Sequence, residues 1–166
     1  MVTSLITDIA NIALALSFVV ALVFGIQQLR AAARDRRESL ALETLRNFQT
    51  HEFATLIHYI TSHDMPNGLE GLQALPHKDQ IVFIEFGQQM ESLGILVAGD
   101  FISLDLVEKT LGSFVTTAWD KYKVMYLDMR EKLPDPYLGE YFQWLAERIG
   151  ARMREKPRKP FYLQSK

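Results

Sequence analysis

Cysteine is absent from this chain of 166 residues. That excludes disulfides, a thiolate nucleophile and any metal site built on thiolates; it suits a reducing compartment without requiring one. Lysine and arginine are absent from residues 1–29, so the basic leader of a secretory signal is missing. Glycine and proline are absent from residues 26–65, which removes the usual punctuation of turns and leaves helix as the default there. Short chemical motifs are missing too. No Gly-x-Ser-x-Gly elbow surrounds Ser92, and Gly94 and Gly99 follow no strand and precede no Gly-Lys-Ser/Thr, so neither acyl transfer nor phosphate cradling is signalled. The four histidines, His51, His58, His63 and His77, include no pair three or four apart, the spacing that brings two rings to one metal on a helix. No catalytic residue, metal ligand or cofactor is therefore expected. No stretch reads as a strand either: residues 81–86 come nearest, but they lack alternation and run on into helical composition.

What the chain does have is an uncharged apolar run over residues 9–26. At about 1.5 Å per residue it spans roughly 27 Å, close to the roughly 30 Å hydrocarbon core of a bilayer. A soluble helix apolar on every side would need most of the remaining chain to wrap it, and the run is long for the apolar part of a cleaved signal. The expectation is an uncleaved single-pass anchor over residues 9–29, preceded by a short external N-terminus, residues 1–8. Arg30, Arg34, Arg36 and Arg37 follow at once, and the positive-inside rule assigns residues 30–166 to the cytoplasm. Along the anchor Ala13, Ser17, Ala21 and Gly25 recur every four residues. Such a row lets two helix backbones approach closely in lipid, so contact with a second copy or with another membrane protein is expected there.

The net charge of −2 is unevenly distributed. Residues 30–37 hold four arginines and one aspartate, residues 38–147 hold seven basic and 17 acidic side chains, and residues 148–166 hold seven basic and one acidic. An acidic body repels phosphate backbones, and no nucleic-acid module is present, so nucleic acid is not an expected partner. The basic ends suit anionic lipid, with Phe161, Tyr162 and Leu163 as interfacial anchors. A plainly solvated tail over residues 156–166 is the alternative.

Past the anchor, Ala, Leu, Glu and Arg favour helix, and Leu45, Phe48, Phe53, Leu56, Ile57 and Ile60 gather on one face. The anchor helix is expected to continue to about Ser62, unbroken or with a slight break near residues 34–37. Pro66-Asn67-Gly68 marks a turn and residues 68–77 a short helical turn. Residues 78–97 form a helix apolar on most sides; Gly87 and Gly94 within it suggest close approach by neighbours. Ser103 caps a helix running to about Lys132, and Asp135-Pro136 starts another over residues 137–154, with Tyr141, Phe142, Leu145, Ile149 and Met153 inward. The fold class is all-α: one membrane helix continuing into a cytoplasmic bundle of about four helices over residues 30–155.

Two carboxylates stand out, because Glu85 and Glu91 sit in the most apolar of these helices and are candidates for burial. Six residues apart, they point about 120° from each other and make no obvious acid/base pair; Glu91 paired with an Arg or a Tyr hydroxyl is the favoured reading. Trp119, Tyr141, Phe142 and Trp144, at helical spacings, are core or a partner-binding patch.

The stretch FGQQMESLGILVAGDFISLDLVEKTLGSFVTTAW (residues 86–119), followed by Arg130, Pro136-Tyr137 and Tyr141-Phe142-Gln143-Trp144-Leu145-Ala146, resembles a bacterial family known only as a domain of unknown function, over about residues 35–150. The resemblance implies an N-terminal membrane helix, a helical stalk, a compact helical domain and a bacterial inner-membrane address. It implies no activity. The expected function is that of a non-enzymatic, membrane-anchored accessory or regulatory subunit. A self-oligomerising membrane effector of toxin or defence type is the alternative, and an enzyme using the Glu85/Glu91 region a more remote one.

Overall fold

The computed structural model describes the backbone of residues 2–163 and the side chains of residues 11–163. The side chains of the expected external N-terminus, residues 1–8, lie outside the described residues, as do residues 164–166 of the tail. The chain is all-α, with six α-helices, one 3-10 turn and no strand among the described residues. It divides into two compact units, Met1–Leu40 and Ala41–Lys166.

The first unit is helix throughout its described residues. Helix α1 spans Val2–Asn47, so its last residues belong to the second unit. Within residues 11–39 no residue is buried. Leu14, Phe18 and Leu29 are 72%, 71% and 73% exposed, so the apolar stretch has no protein core of its own. The hydroxyl of Ser17 donates to the Ala13 carbonyl at 2.8 Å, which satisfies it within the helix.

In the second unit the chain turns at residues 48–50 and resumes as α2, His51–Ser62. A helix unbroken to Ser62 was expected, or one broken near residues 34–37; the helix is intact there and the break falls later. Thr50 supplies the reason. It adopts an extended backbone, and its Oγ1 accepts from the Phe53 N–H at 3.1 Å, a helix start that leaves no Gly or Pro trace in the sequence. The turn also lets Phe48 and Phe53 meet edge to face at 4.8 Å and sends Phe53, Leu56 and Ile60 into the core.

Helix α3 (Gly68–Gln73) is short, and α4 (His77–Ala98) is the core helix, burying Phe83, Phe86, Met90, Leu93 and Val97. Both α1 and α4 are long and apolar enough to cross a membrane. They differ in that α4 packs against α2, α3 and α6. Its two interior glycines are close approaches: a Cβ on Gly94 would strike the Tyr141 carbonyl of α6, and one on Gly87 the Tyr126 hydroxyl of α5. Helix α4 ends in a Schellman arrangement. The N–H of Phe101 donates to the Leu96 carbonyl at 3.0 Å, and that of Asp100 to the Val97 carbonyl at 3.1 Å. The left-handed position (φ 56°) is held by Asp100 rather than by the neighbouring Gly99.

Helix α5, Leu104–Lys132, starts on Ser103, whose side chain accepts from the Leu106 N–H at 3.2 Å. Helix α6, Glu140–Glu155, begins three residues later than the expected residue 137. Asp135 instead closes an Asx turn, accepting from the Tyr137 N–H at 3.0 Å. The chain then enters α6 through Gly139 at φ 71°, packed so closely on the Tyr126 ring that a Cβ would collide with it. Phe142, Leu145 and Ile149 face inward as expected, whereas Tyr141 is half-buried and Met153 is 38% exposed. With the break at residues 48–50 and α3 as a separate element, the helices outnumber the four expected for the bundle.

The core is largely aromatic. Phe86 lies 5.2 Å from Tyr122, 5.7 Å from Phe114 and 6.3 Å from both Phe53 and Phe142. Trp119 meets Phe142 edge-on at 5.2 Å. These are the offset and edge-to-face separations that aromatic quadrupoles favour. The Tyr122 hydroxyl, fully inside, donates to the Phe83 carbonyl at 3.2 Å, and burial pushes its pKa well above the tyrosine range.

Candidate functional site

The two carboxylates singled out in α4 fall in different environments. Glu85, one of the two candidates for burial, is exposed; it lies on the outward stripe of α4 with Gln88 and Ser92. Glu91 is half-buried, and among the described residues no hydrogen bond or ion pair joins it to an Arg or a Tyr hydroxyl. Its Oε2 accepts from the Phe142 N–H at 2.8 Å and its Oε1 from the Tyr141 N–H at 3.2 Å. Those are orphan donors of the first turn of α6, and Gly139, with no side chain, cannot satisfy them. A carboxylate on α4 therefore caps α6 from across the bundle, with its charge at the positive end of the helix dipole. Both oxygens are engaged by backbone, so Glu91 has the geometry of a cap rather than of a general base.

The same device recurs. Asp128 of α5 accepts from the Leu69 N–H in the first turn of α3 at 2.8 Å; that bond, then Lys132, holds its carboxyl below the usual range. Lys121 of α5 donates to the Ile60 carbonyl at 3.0 Å in the last turn of α2. Arg130 donates through Nε to the Leu138 carbonyl and through Nη1 to Gln143 Oε1, each at 2.7 Å. Its Nη2 is buried without an acceptor among the described residues. Tyr126 lies beside this group, its pKa pushed up to about 12 by burial and then by the Glu91 charge. Glu108, whose side chain is 6% exposed, meets Arg152 Nε at 2.6 Å and ties α5 to α6. Sequence reasoning missed Asp128 and Lys121, and gave Arg130 and Glu108 no partner. The partner that ties each of them to another helix or turn lies eight or more residues away, beyond any local pattern.

Clefts are shallow. One of about 340 Å³ lies between residues 44–48 and α4, lined by Thr44, Asn47, Phe48, Glu85, Gln88 and Ser92 among others. Glu85 is its one titratable side chain, and Glu91 is committed to α6, so the cleft holds no acid/base pair. Among the described residues no group of three or more His, Asp or Glu could hold a metal ion.

The remaining predicted residues are placed as follows. Trp119 and Phe142 are in the core, Tyr141 is half-buried, and Trp144 is 38% exposed on the outer side of α6. Arg30, Arg34, Arg36 and Arg37 are all exposed, Arg34 pairing with Glu38 at 2.7 Å. Ala13, Ser17 and Ala21 are exposed and Gly25 half so, and a Cβ on Gly25 would meet nothing within 4 Å.

The fold and its charged caps define a class: an all-α protein whose N-terminal helix is long and apolar enough to span a membrane, followed by a packed helical domain. Residues 14–149 match the family described as Domain of unknown function (DUF4760), and the chain belongs to it. The match enters within the apolar run and stops at Ile149, before the basic tail. Neither the comparison with curated proteins nor that with solved structures gives a match.

Proposed function

We propose that this chain is a non-enzymatic, membrane-anchored interaction protein, an accessory or regulatory subunit of a membrane complex, with residues 9–29 crossing the bilayer and the helical domain in the cytoplasm. The observation that carries it is the exposure of the whole apolar stretch of α1. Large side chains from Ile12 to Leu29 stand between 42% and 73% exposed. Left in water, that surface would forfeit on the order of 10 kcal/mol, comparable to the whole stability of a domain. A bilayer removes that cost, and the arginines from Arg30 to Arg37 fix the orientation. The non-enzymatic reading is supported by four charges of the bundle, Glu91, Asp128, Lys121 and Arg130, which terminate helices and turns. A bacterial inner membrane fits the orientation.

The test is a mild-detergent pull-down of the full chain with its native mass measured alongside. A defined membrane partner that is lost when residues 9–29 are replaced by an unrelated membrane helix supports the subunit reading. A homo-oligomer with no partner overturns it in favour of a self-associating effector, with Gly25→Ile and Ala21→Ile as the next variants.

A further inference from the structure

We infer that residues 156–163 form a docking site for the anionic surface of a bilayer, with Phe161, Tyr162 and Leu163 entering the interface and the basic charge of the tail beside them drawing it to the headgroups. The inference rests on the membrane-anchored reading for the presence of a bilayer, and it assigns to the tail a contact of its own.

Three observations carry it. First, the turn Phe161–Leu163 exposes three consecutive apolar side chains at 83%, 84% and 64%, more than any other large apolar residues of the second unit except Tyr137, which stands alone at 67%. Tyrosine and phenylalanine beside cations are what the membrane–water interface selects, the rings at headgroup level and the charges outside. Second, the turn is closed locally. The two prolines restrict the backbone, and the Leu163 N–H closes the turn on the Pro160 carbonyl at 2.9 Å. The aromatic turn is thus shaped by its own backbone, which lowers the entropy lost on docking. Third, the charge is right. Residues 148–166 hold seven basic and one acidic residue, and on the cytoplasmic side each cation near an anionic leaflet strengthens binding by about fivefold.

The chain has no cysteine, so Tyr162→Cys gives a single site for a nitroxide label. The labelled full chain is co-assembled into nanodiscs of phosphatidylcholine alone or with three-tenths phosphatidylglycerol, and is also added to preformed discs of each kind. Accessibility to oxygen and to a water-soluble nickel chelate reports depth. The expected result is exclusion of the chelate in phosphatidylglycerol discs and free access in phosphatidylcholine discs. High salt should weaken the exclusion. Lys156→Gln and Arg158→Gln together should lower the docked-to-free ratio roughly 25-fold. Equal chelate access in both lipids overturns the inference. So does equal exclusion in both lipids and in detergent micelles, which would place the turn against protein, this chain's own surface or the acidic body of a second copy. Failure to co-assemble would remove the anchor reading alone, since the chain added to preformed discs still decides the tail.

Discussion

Replacing Glu91 by Ala removes both acceptors from the first turn of α6 and leaves the Tyr141 and Phe142 N–H groups facing the interior of the bundle. A hydrogen bond to a charged group is worth about 1.5–3 kcal/mol, and the carboxylate at the helix N-terminus adds about 0.3–1 kcal/mol. Because Glu91 is half-buried, solvent competes for part of this, and a loss of about 2–4 kcal/mol is expected for Glu91→Ala. Glu91→Gln keeps one carbonyl oxygen and should lose about half as much. The neighbouring Glu85→Ala, on an exposed side chain, should stay within about 0.5 kcal/mol of the parent. Urea unfolding of the full chain in mild detergent, followed by tryptophan fluorescence, gives the midpoints. Amide exchange supplies the local signature, with Tyr141 and Phe142 accelerating before α2 does, about tenfold for each 1.4 kcal/mol lost. A Glu91→Ala protein within 0.5 kcal/mol of the parent, or one whose exchange rises uniformly, would refute the capping role.

Other outcomes follow from the same packing. Gly94→Ala drives a methyl into the Tyr141 carbonyl; overpacking of about 1–3 kcal/mol should outweigh the gain in helix propensity of about 1 kcal/mol, lowering the urea midpoint. Asp100→Gly relieves a left-handed aspartate at φ 56° and should stabilise by about 0.5–1 kcal/mol, read as a higher thermal midpoint; a fall would mean that the Asp100 side chain holds the turn. Asp128 and Asp105 are both held below the usual aspartate range, by the Leu69 N–H and then Lys132, and by Lys109 first. As pH falls the unfolded chain takes up these protons first, so stability present above about pH 4 is lost as pH drops through the folded values. Asp128→Asn should make that acid limb shallower; an unchanged limb would remove Asp128 from the account.

Much of the fold was readable because its punctuation is local. Ser103 as a cap, Pro66-Asn67-Gly68 as a turn and the close-approach glycines Gly87 and Gly94 each carry their meaning within a few residues. The break at residues 48–50 was not, since Thr50 is an ordinary residue whose capping depends on the turn that brings it to Phe53. The start of α6 was misplaced for a longer-range reason: Asp135-Pro136 has a helix-start signature, yet the donors of α6 are satisfied by Glu91, about 50 residues back. Glu85 and Glu91 look alike in sequence, and only the phase of α4 against α6 separates an exposed side chain from a cap. Asp128 and Lys121 escaped notice, and Arg130 was left without a partner, for the same reason, because capping between helices has no spacing rule.

The most direct test of the central claim is topology in a bacterial host, using Thr3→Cys and Ser113→Cys in the cysteine-free chain. The expected result is a chain that resists alkaline extraction, with position 3 labelled by an impermeant maleimide in intact cells and position 113 only after lysis. A chain released by alkali, one shortened by removal of the apolar run, or labelling of position 113 from outside would contradict it.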